Sequence, residues 1–280
     1  PTMHPQTRGA PEMTVAMSIL GSIGWFVVES GQPAASVVFW RCVFGAATLL
    51  AVCAGLGLFR KLTLHQWGLA VLGGAAIVTN WGLLFASYPR ASISVATAVY
   101  NTQPFMLVAL GSVFFGERTT ATKLAWLGLP FSGVLMIVQG QPRDAALGAS
   151  FMQGVALAFA AAFFYAVATI ATKRLAGRPP HLVLLIQGNV GIALLAPFVD
   201  VDGLPRDARS WSCLVTLGVV HTGLMYILLY GAIQKLPTHL TGALSFLYPV
   251  AALAVDYVAY GHRLQAMQIV GAVAILLAAA

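Results

Sequence analysis

One histidine, two prolines and a few amides interrupt long apolar stretches in this 280-residue chain. His221 is the sharpest interruption. It is an ionisable ring midway along an apolar run, where charge is costly, so substrate contact or proton sensing competes with a neutral ring satisfied by a nearby hydroxyl. Pro104 and Pro249 lack an N–H and clash with the preceding turn, which frees the carbonyls of Tyr100 and Ser245. That predicts hinge or gating points beside a site, with a packing kink as the plainer alternative. Asn80, Asn101 and Gln103 carry donors and acceptors without fixed charge. They suit the ammonium and carboxylate of an amino acid, or hydrogen bonds between helices. Trp25, Trp81, Tyr100, Tyr165, Tyr226, Tyr230 and Tyr248 lie within apolar runs rather than at their ends, and a water-filled aromatic cavity accounts for them better than lipid contact. The candidate substrate-binding set is Trp25, Asn80, Tyr100, Asn101, Gln103, Tyr165, His221, Tyr226 and Tyr248.

Arg41 and Asp256 are the charges placed clearly inside apolar runs. At 1.5 Å per helical residue both fall toward one end of their helices, which predicts an outer ion pair. Arg41 with Glu29, or snorkelling of Arg41 to the interface, are the alternatives. No G-x-S-x-G, H-E-x-x-H, paired aspartates or P-loop is present, so no catalytic residue, metal, cofactor or built-in ATP drive is expected. Cys42, Cys53 and Cys213 are odd in number and widely spaced, neither a disulfide framework nor a metal site.

The elements that position these residues follow from composition. Lys+Arg number 15 and Asp+Glu 8, so 8% of residues are charged while 59% are hydrophobic. A water-exposed fold carries about 25% charged residues. Most of the outer surface must therefore meet hydrocarbon. The net charge of +7 is scattered in ones and twos, which suits loops at an anionic membrane and excludes a nucleic-acid patch. Ten apolar runs are long enough to span: residues 13–29, 34–56, 66–87, 93–115, 121–139, 150–172, 182–199, 211–233, 239–259 and 265–280. They must be helices, because backbone polar groups in lipid have to be satisfied within the segment. Residues 1–12 read as a short, poorly ordered polar leader. The expected division is a five-helix repeat over 13–139, a linker over 140–149 and a second five-helix repeat over 150–280.

Ten spans put both ends of the chain on one face. That face collects nine Lys+Arg in its loops against five on the other, so both termini are expected in the cytoplasm. An internal match supports the division. An offset of 145 takes Phe115-Gly116-Glu117-Arg118 onto Tyr260-Gly261-His262-Arg263, Pro104 onto Pro249 and Arg90 onto Lys235. Five helices is an odd number, so the second copy enters the membrane inverted. Inverted repeats around a shared site are the architecture of alternating access.

The run from Gln103-Pro104-Phe105 to Phe115-Gly116-Glu117-Arg118, with Gly128 and Gly133 in the next span, resembles the signature of the EamA-type drug/metabolite transporter superfamily. Within it the chain is similar to the YddG-type exporters of aromatic amino acids. The resemblance implies an all-α membrane protein: ten transmembrane helices as two inverted five-helix repeats around a central cavity, the fifth and tenth peripheral. It also implies export from the inner membrane of a bacterium. His262 stands where the family commonly repeats the glutamate. The expected protein is a monomeric secondary transporter in membrane lipid, moving small neutral or zwitterionic amphipathic metabolites, aromatic or hydrophobic amino acids first. Carriers of phosphorylated substrates need fixed cations, and Arg41 lies off-centre. Efflux of drugs or cations by proton antiport is the alternative. It wants a carboxylate deep in the first helix, whereas Glu12 and Glu29 lie at its edges.

Overall fold

The computed structural model describes residues 5–91, 93–118, 120–139, 149–200, 203–260 and 266–279. Among these there is no strand. The helices are α1 (Pro5–Leu20), α2 (Ile23–Glu29), α3 (Ala34–Gly55), α4 (Leu64–Ala91), α5 (Ile93–Tyr100), α6 (Gln103–Phe115) and α7 (Ala121–Gln139) in the first half. The second half holds α8 (Ala149–Arg174), α9 (Pro180–Leu195), α10 (Ala208–Gly218), α11 (Met225–Lys235), α12 (Thr238–Ser245), α13 (Leu247–Tyr260) and α14 (Ala266–Ala279). A π-helical segment, Val219–Leu224, joins α10 to α11.

Four of the spans are broken pairs. Joined across their breaks, α1–α2, α5–α6, α10–α11 and α12–α13 give four runs, and α3, α4, α8 and α9 give four more, each long and apolar enough to cross a bilayer. The helices α7 and α14 complete ten. The first differs from expectation at its start: it begins at Pro5, inside the stretch assigned to a polar leader, and carries Glu12 to Lys235 on α11. That pairing lets the polar turn continue the helix. Of the expected linker, residues 140–148 lie outside the described residues and α8 begins at Ala149.

Two breaks precede Pro104 and Pro249. α5 ends at Tyr100 and α6 starts at Gln103, so Pro104 occupies the first turn of a new helix, where its missing N–H is tolerated. Asn101 and Thr102 bridge the gap through N–H bonds to the Thr97 and Val99 carbonyls, both 3.0 Å. α12 ends at Ser245, and Phe246 separates it from α13.

The packing is that of two copies related by a two-fold axis. α1 packs on α11 and its counterpart α8 packs on α4; α3 packs on α9, and α7 on α14. The last two pairs are copies of one another facing across the axis. The axis can be located at one hydrogen bond. Trp81 and Tyr226 are 145 residues apart, the offset of the repeat, and Trp81 Nε1 donates to the Tyr226 hydroxyl at 2.8 Å. Residues that are symmetry mates touch only where the axis passes between them. The main core of buried apolar residues surrounds this contact.

Candidate functional site

Around the Trp81–Tyr226 contact the chain gathers aromatic rings and amides from both halves. The two rings meet edge to face at 5.4 Å, and Tyr230, one turn along α11, sits 5.5 Å from Tyr226. The Tyr230 hydroxyl donates to Gln187 Oε1 on α9 at 2.5 Å. Gln187 reaches so far in because Gly73 on α4 lacks a side chain; a Cβ there would lie 2.5 Å from its Nε2. Asn80, beside Trp81, donates to the Ala161 carbonyl at 2.7 Å and to the Tyr100 hydroxyl at 3.2 Å. Tyr100 in turn packs 6.1 Å from Tyr165. All of these side chains are buried.

Arg41 does not snorkel. Its side chain is 0% exposed and runs inward, not to the interface. The guanidinium stacks 3.9 Å from the Trp81 ring centroid and 5.7 Å from that of Tyr226, which places it at the axis. Nε donates to Thr222 Oγ1 at 2.8 Å and Nη2 to the His221 carbonyl at 3.4 Å. Both acceptors lie in the π-helical segment, where the wider turn sends the Thr222 hydroxyl to the Leu217 carbonyl five residues back at 3.0 Å. Helix α3 comes close enough for this because Gly45 faces Thr222; a Cβ there would sit 2.6 Å from the threonine methyl. Glu29 is not its partner either: it pairs with Arg209. The side chain of Asp256 lies outside the described residues, although its backbone is helical in α13.

His221 is buried at the same segment, yet its ring turns toward α1 and α2. Ser22 Oγ donates to the Ile19 carbonyl at 2.9 Å and lies 2.8 Å from His221 Nε2. Nδ1 lies 3.4 Å from the Thr216 carbonyl, and Phe26 covers the ring at 5.1 Å. This is the hydroxyl-satisfied arrangement, and the residue's contribution at the axis is its carbonyl. Trp25 also stands apart, half-buried and packed edge to face on Phe26, whereas Tyr165 lies deep. Tyr248 is buried with its hydroxyl in contact with Tyr88 and Thr97. Asn101 and Gln103 are buried at the α5–α6 break, where Asn101 Nδ2 is held by the Thr97 carbonyl at 2.6 Å.

The buried polar atoms of the described residues that have no hydrogen-bond partner include five in this region and at the α5–α6 break. Two are donors, Arg41 Nη1 and Gln187 Nε2; three are acceptors, Asn80 Oδ1, Asn101 Oδ1 and Gln103 Oε1. An unpaired polar atom in a dry interior is costly, so such a set marks a place built to receive something polar. Gln187, Tyr230 and Thr222 were absent from the candidate set. For Gln187 a signal existed, an amide, with Asn189, among the apolar residues of α9; for Thr222 none did, since a π turn leaves no trace in hydropathy. No group of three or more His, Cys, Asp or Glu able to hold a metal occurs among the described residues.

Comparison with known proteins agrees with this architecture. The model of the EamA-like transporter family matches residues 13–139 and again residues 152–280. The chain belongs to that family. It is 29% identical over 268 residues to the uncharacterized transporter YxxF of Bacillus subtilis (strain 168), covering 94% of this chain and 86% of that protein. It is 28% identical over 195 residues to a probable amino-acid metabolite efflux pump of Salmonella typhimurium, covering 65% of this chain and 64% of the pump. A solved structure described only as the crystal structure of a protein superposes with a TM-score of 0.85 at 18% identity, covering 98% and 95% of the two chains, which shows the shared fold. The protein is thus an integral membrane transporter of the EamA type with two repeats.

Proposed function

We propose that this EamA-family protein is a secondary transporter exporting small zwitterionic amphipathic metabolites, amino acids with aromatic or hydrophobic side chains above all. The observation that carries this is the buried set of unpaired donors and unpaired acceptors beside aromatic rings at the repeat axis. A carboxylate asks for donors, an ammonium for acceptors, and an apolar side chain for the ring faces. The Salmonella relative, named a probable amino-acid metabolite efflux pump, supports the same class.

Alternating access supplies the mechanism. The two repeats, taken as residues 13–139 and 150–280, rock about the axis; the breaks before Pro104 and Pro249 serve as hinges, and the site opens to one face at a time. The protein works as a monomer in a bacterial inner membrane with both termini cytoplasmic, and needs no cofactor. Cation antiport is the weaker reading, because Glu12 is engaged by Lys235, 2.5 and 2.7 Å away, rather than free. Uptake by proteoliposomes of labelled phenylalanine, tryptophan and methionine, with and without a pH gradient, tests the proposal. Saturable amino-acid uptake is expected; sugar phosphates or lipophilic cations carried in their place overturn it.

A further inference from the structure

Resting on that reading, one residue permits a sharper statement about the substrate. Arg41 is a wholly buried guanidinium held on three sides: by Thr222 Oγ1 at Nε, by the His221 carbonyl at Nη2, and by the Trp81 ring below its plane. Each of these partners is uncharged. The ion pairs among the described residues, Glu117–Lys173, Glu29–Arg209 and Glu12–Lys235, do not include Arg41. Among the described residues Nη1 has no hydrogen-bond partner, and the Tyr226 hydroxyl, already engaged by Trp81, stands beside the guanidinium. A buried guanidinium without a counter-ion is among the costliest arrangements in a membrane protein. The π segment and Gly45 nonetheless hold this one rigidly at the axis.

We infer that Arg41 is the anchor for a substrate carboxylate, so that this transporter selects monocarboxylates and amino acids and rejects amines and amides of the same shape. An Arg restrained at Nε and Nη2 presents Nη1 as its remaining donor to an anion. The restraints fix its direction. Gln187 Nε2, another unpaired donor, lies on the opposing repeat. Two donors from two repeats closing on one carboxylate would tie occupancy to the approach of the halves. The substrate's charge supplies the counter-ion that no described residue brings to the guanidinium.

The test uses purified wild-type protein in proteoliposomes with labelled phenylalanine. Competitors are 3-phenylpropionate, which keeps the carboxylate alone, and phenylalaninamide and phenethylamine, which lack it. Phenylpropionate should compete within about tenfold of phenylalanine, and the two carboxylate-free analogues should be weaker by about 10- to 100-fold, the worth of a charge-assisted hydrogen bond. R41Q should raise KM for phenylalanine by a similar factor, with R41K intermediate because a point charge replaces the fork. Equal competition by phenylalaninamide, or an unchanged KM in R41Q, overturns the inference while leaving the amino-acid reading intact. If phenylalanine is not carried at all, that reading fails. Thermal stabilisation of detergent-solubilised wild type by a panel of carboxylates against their amides then decides the anchor, and equal stabilisation by both refutes it. The competition panel needs no variant, so it stands even if R41Q misfolds.

Discussion

Trp81 and Tyr226 show what a single residue contributes when it lies on a symmetry axis. Tyr226 Oη accepts the buried indole N–H, and both rings contact the guanidinium of Arg41. Removing the hydroxyl alone strands the N–H in a dry interior, at a cost of about 1–3 kcal/mol. Tyr226→Phe is therefore expected to destabilise the detergent-solubilised protein more than Trp81→Phe. The double variant should recover part of the loss, which a double-mutant cycle of thermal unfolding reads directly. Additive losses would mean that the bond carries nothing. The aromatic and amide residues at this place were legible as types, because polar groups inside apolar runs stand out. The position of Arg41 was not. Counting residues from a helix end places its Cα, whereas the long side chain, once trapped by Thr222 and the His221 carbonyl, carries the charge elsewhere.

The breaks matter more than the helices at the scale of elements. Ten apolar runs could be counted from the sequence because lipid imposes one length and one kind of backbone pairing. The two prolines also announced their breaks. What hydropathy cannot show is the π-helical turn at Val219–Leu224, which depends on side-chain bonds formed only after α3 has docked against Gly45 and Thr222. The helical start at Pro5 was hidden for a related reason, since Glu12 is tolerable in a helix only once Lys235 neutralises it. For Pro104, placement in the first turn of α6 leads to a specific expectation. Pro104→Ala restores an N–H that needs no partner there, so unfolding stability should change by less than about 1 kcal/mol. Transport should fall several-fold if the break is a hinge. Equal loss of stability and transport would assign the proline to packing instead.

The two ends of the whole molecule are unlike. At the end that carries the 116–120 and 236–237 connections, Glu117 of the first repeat meets Lys173 at 2.7 Å, accepts from the Thr238 hydroxyl, and accepts the Thr238 N–H at the start of α12 at 3.3 Å. The 145-residue offset maps these three onto His262, Val28 and Ile93, none able to repeat the cluster. Lys235, paired with Glu12 at that same end, maps onto Arg90, which donates to the Ala86 carbonyl at 2.6 Å. The other end has Glu29 with Arg209, whose side chain is 70% exposed. Fold symmetry was readable in the sequence, and so was its violation at His262; that Glu117 ties the end of α6 to α8 and α12 needed the packing of those helices.

Burial pushes the Glu117 carboxyl up, but the hydrogen bonds from Lys173 and Thr238 outweigh it and hold the group below the ordinary carboxylate value of 4.5. With its folded value depressed, the stabilisation is complete above the ordinary value and is lost as pH falls through the lower folded one. Thermal stability of the wild type should therefore drop on acidification below about pH 4.5 more steeply than that of Glu117→Gln, which has already lost the latch. Parallel curves would show that the carboxylate is not engaged.

The site's alternate exposure is tested most directly by one cysteine at its centre. In a background with Cys42, Cys53 and Cys213 replaced by serine, Asn80→Cys is exposed in sealed vesicles to an impermeant maleimide from each face in turn. Labelling from both faces is expected, and adding Glu117→Gln should speed it from the Glu117 end and slow it from the Glu29 end. Labelling confined to one face, or rates from both faces indifferent to Glu117, would contradict a single site shared between two alternating openings.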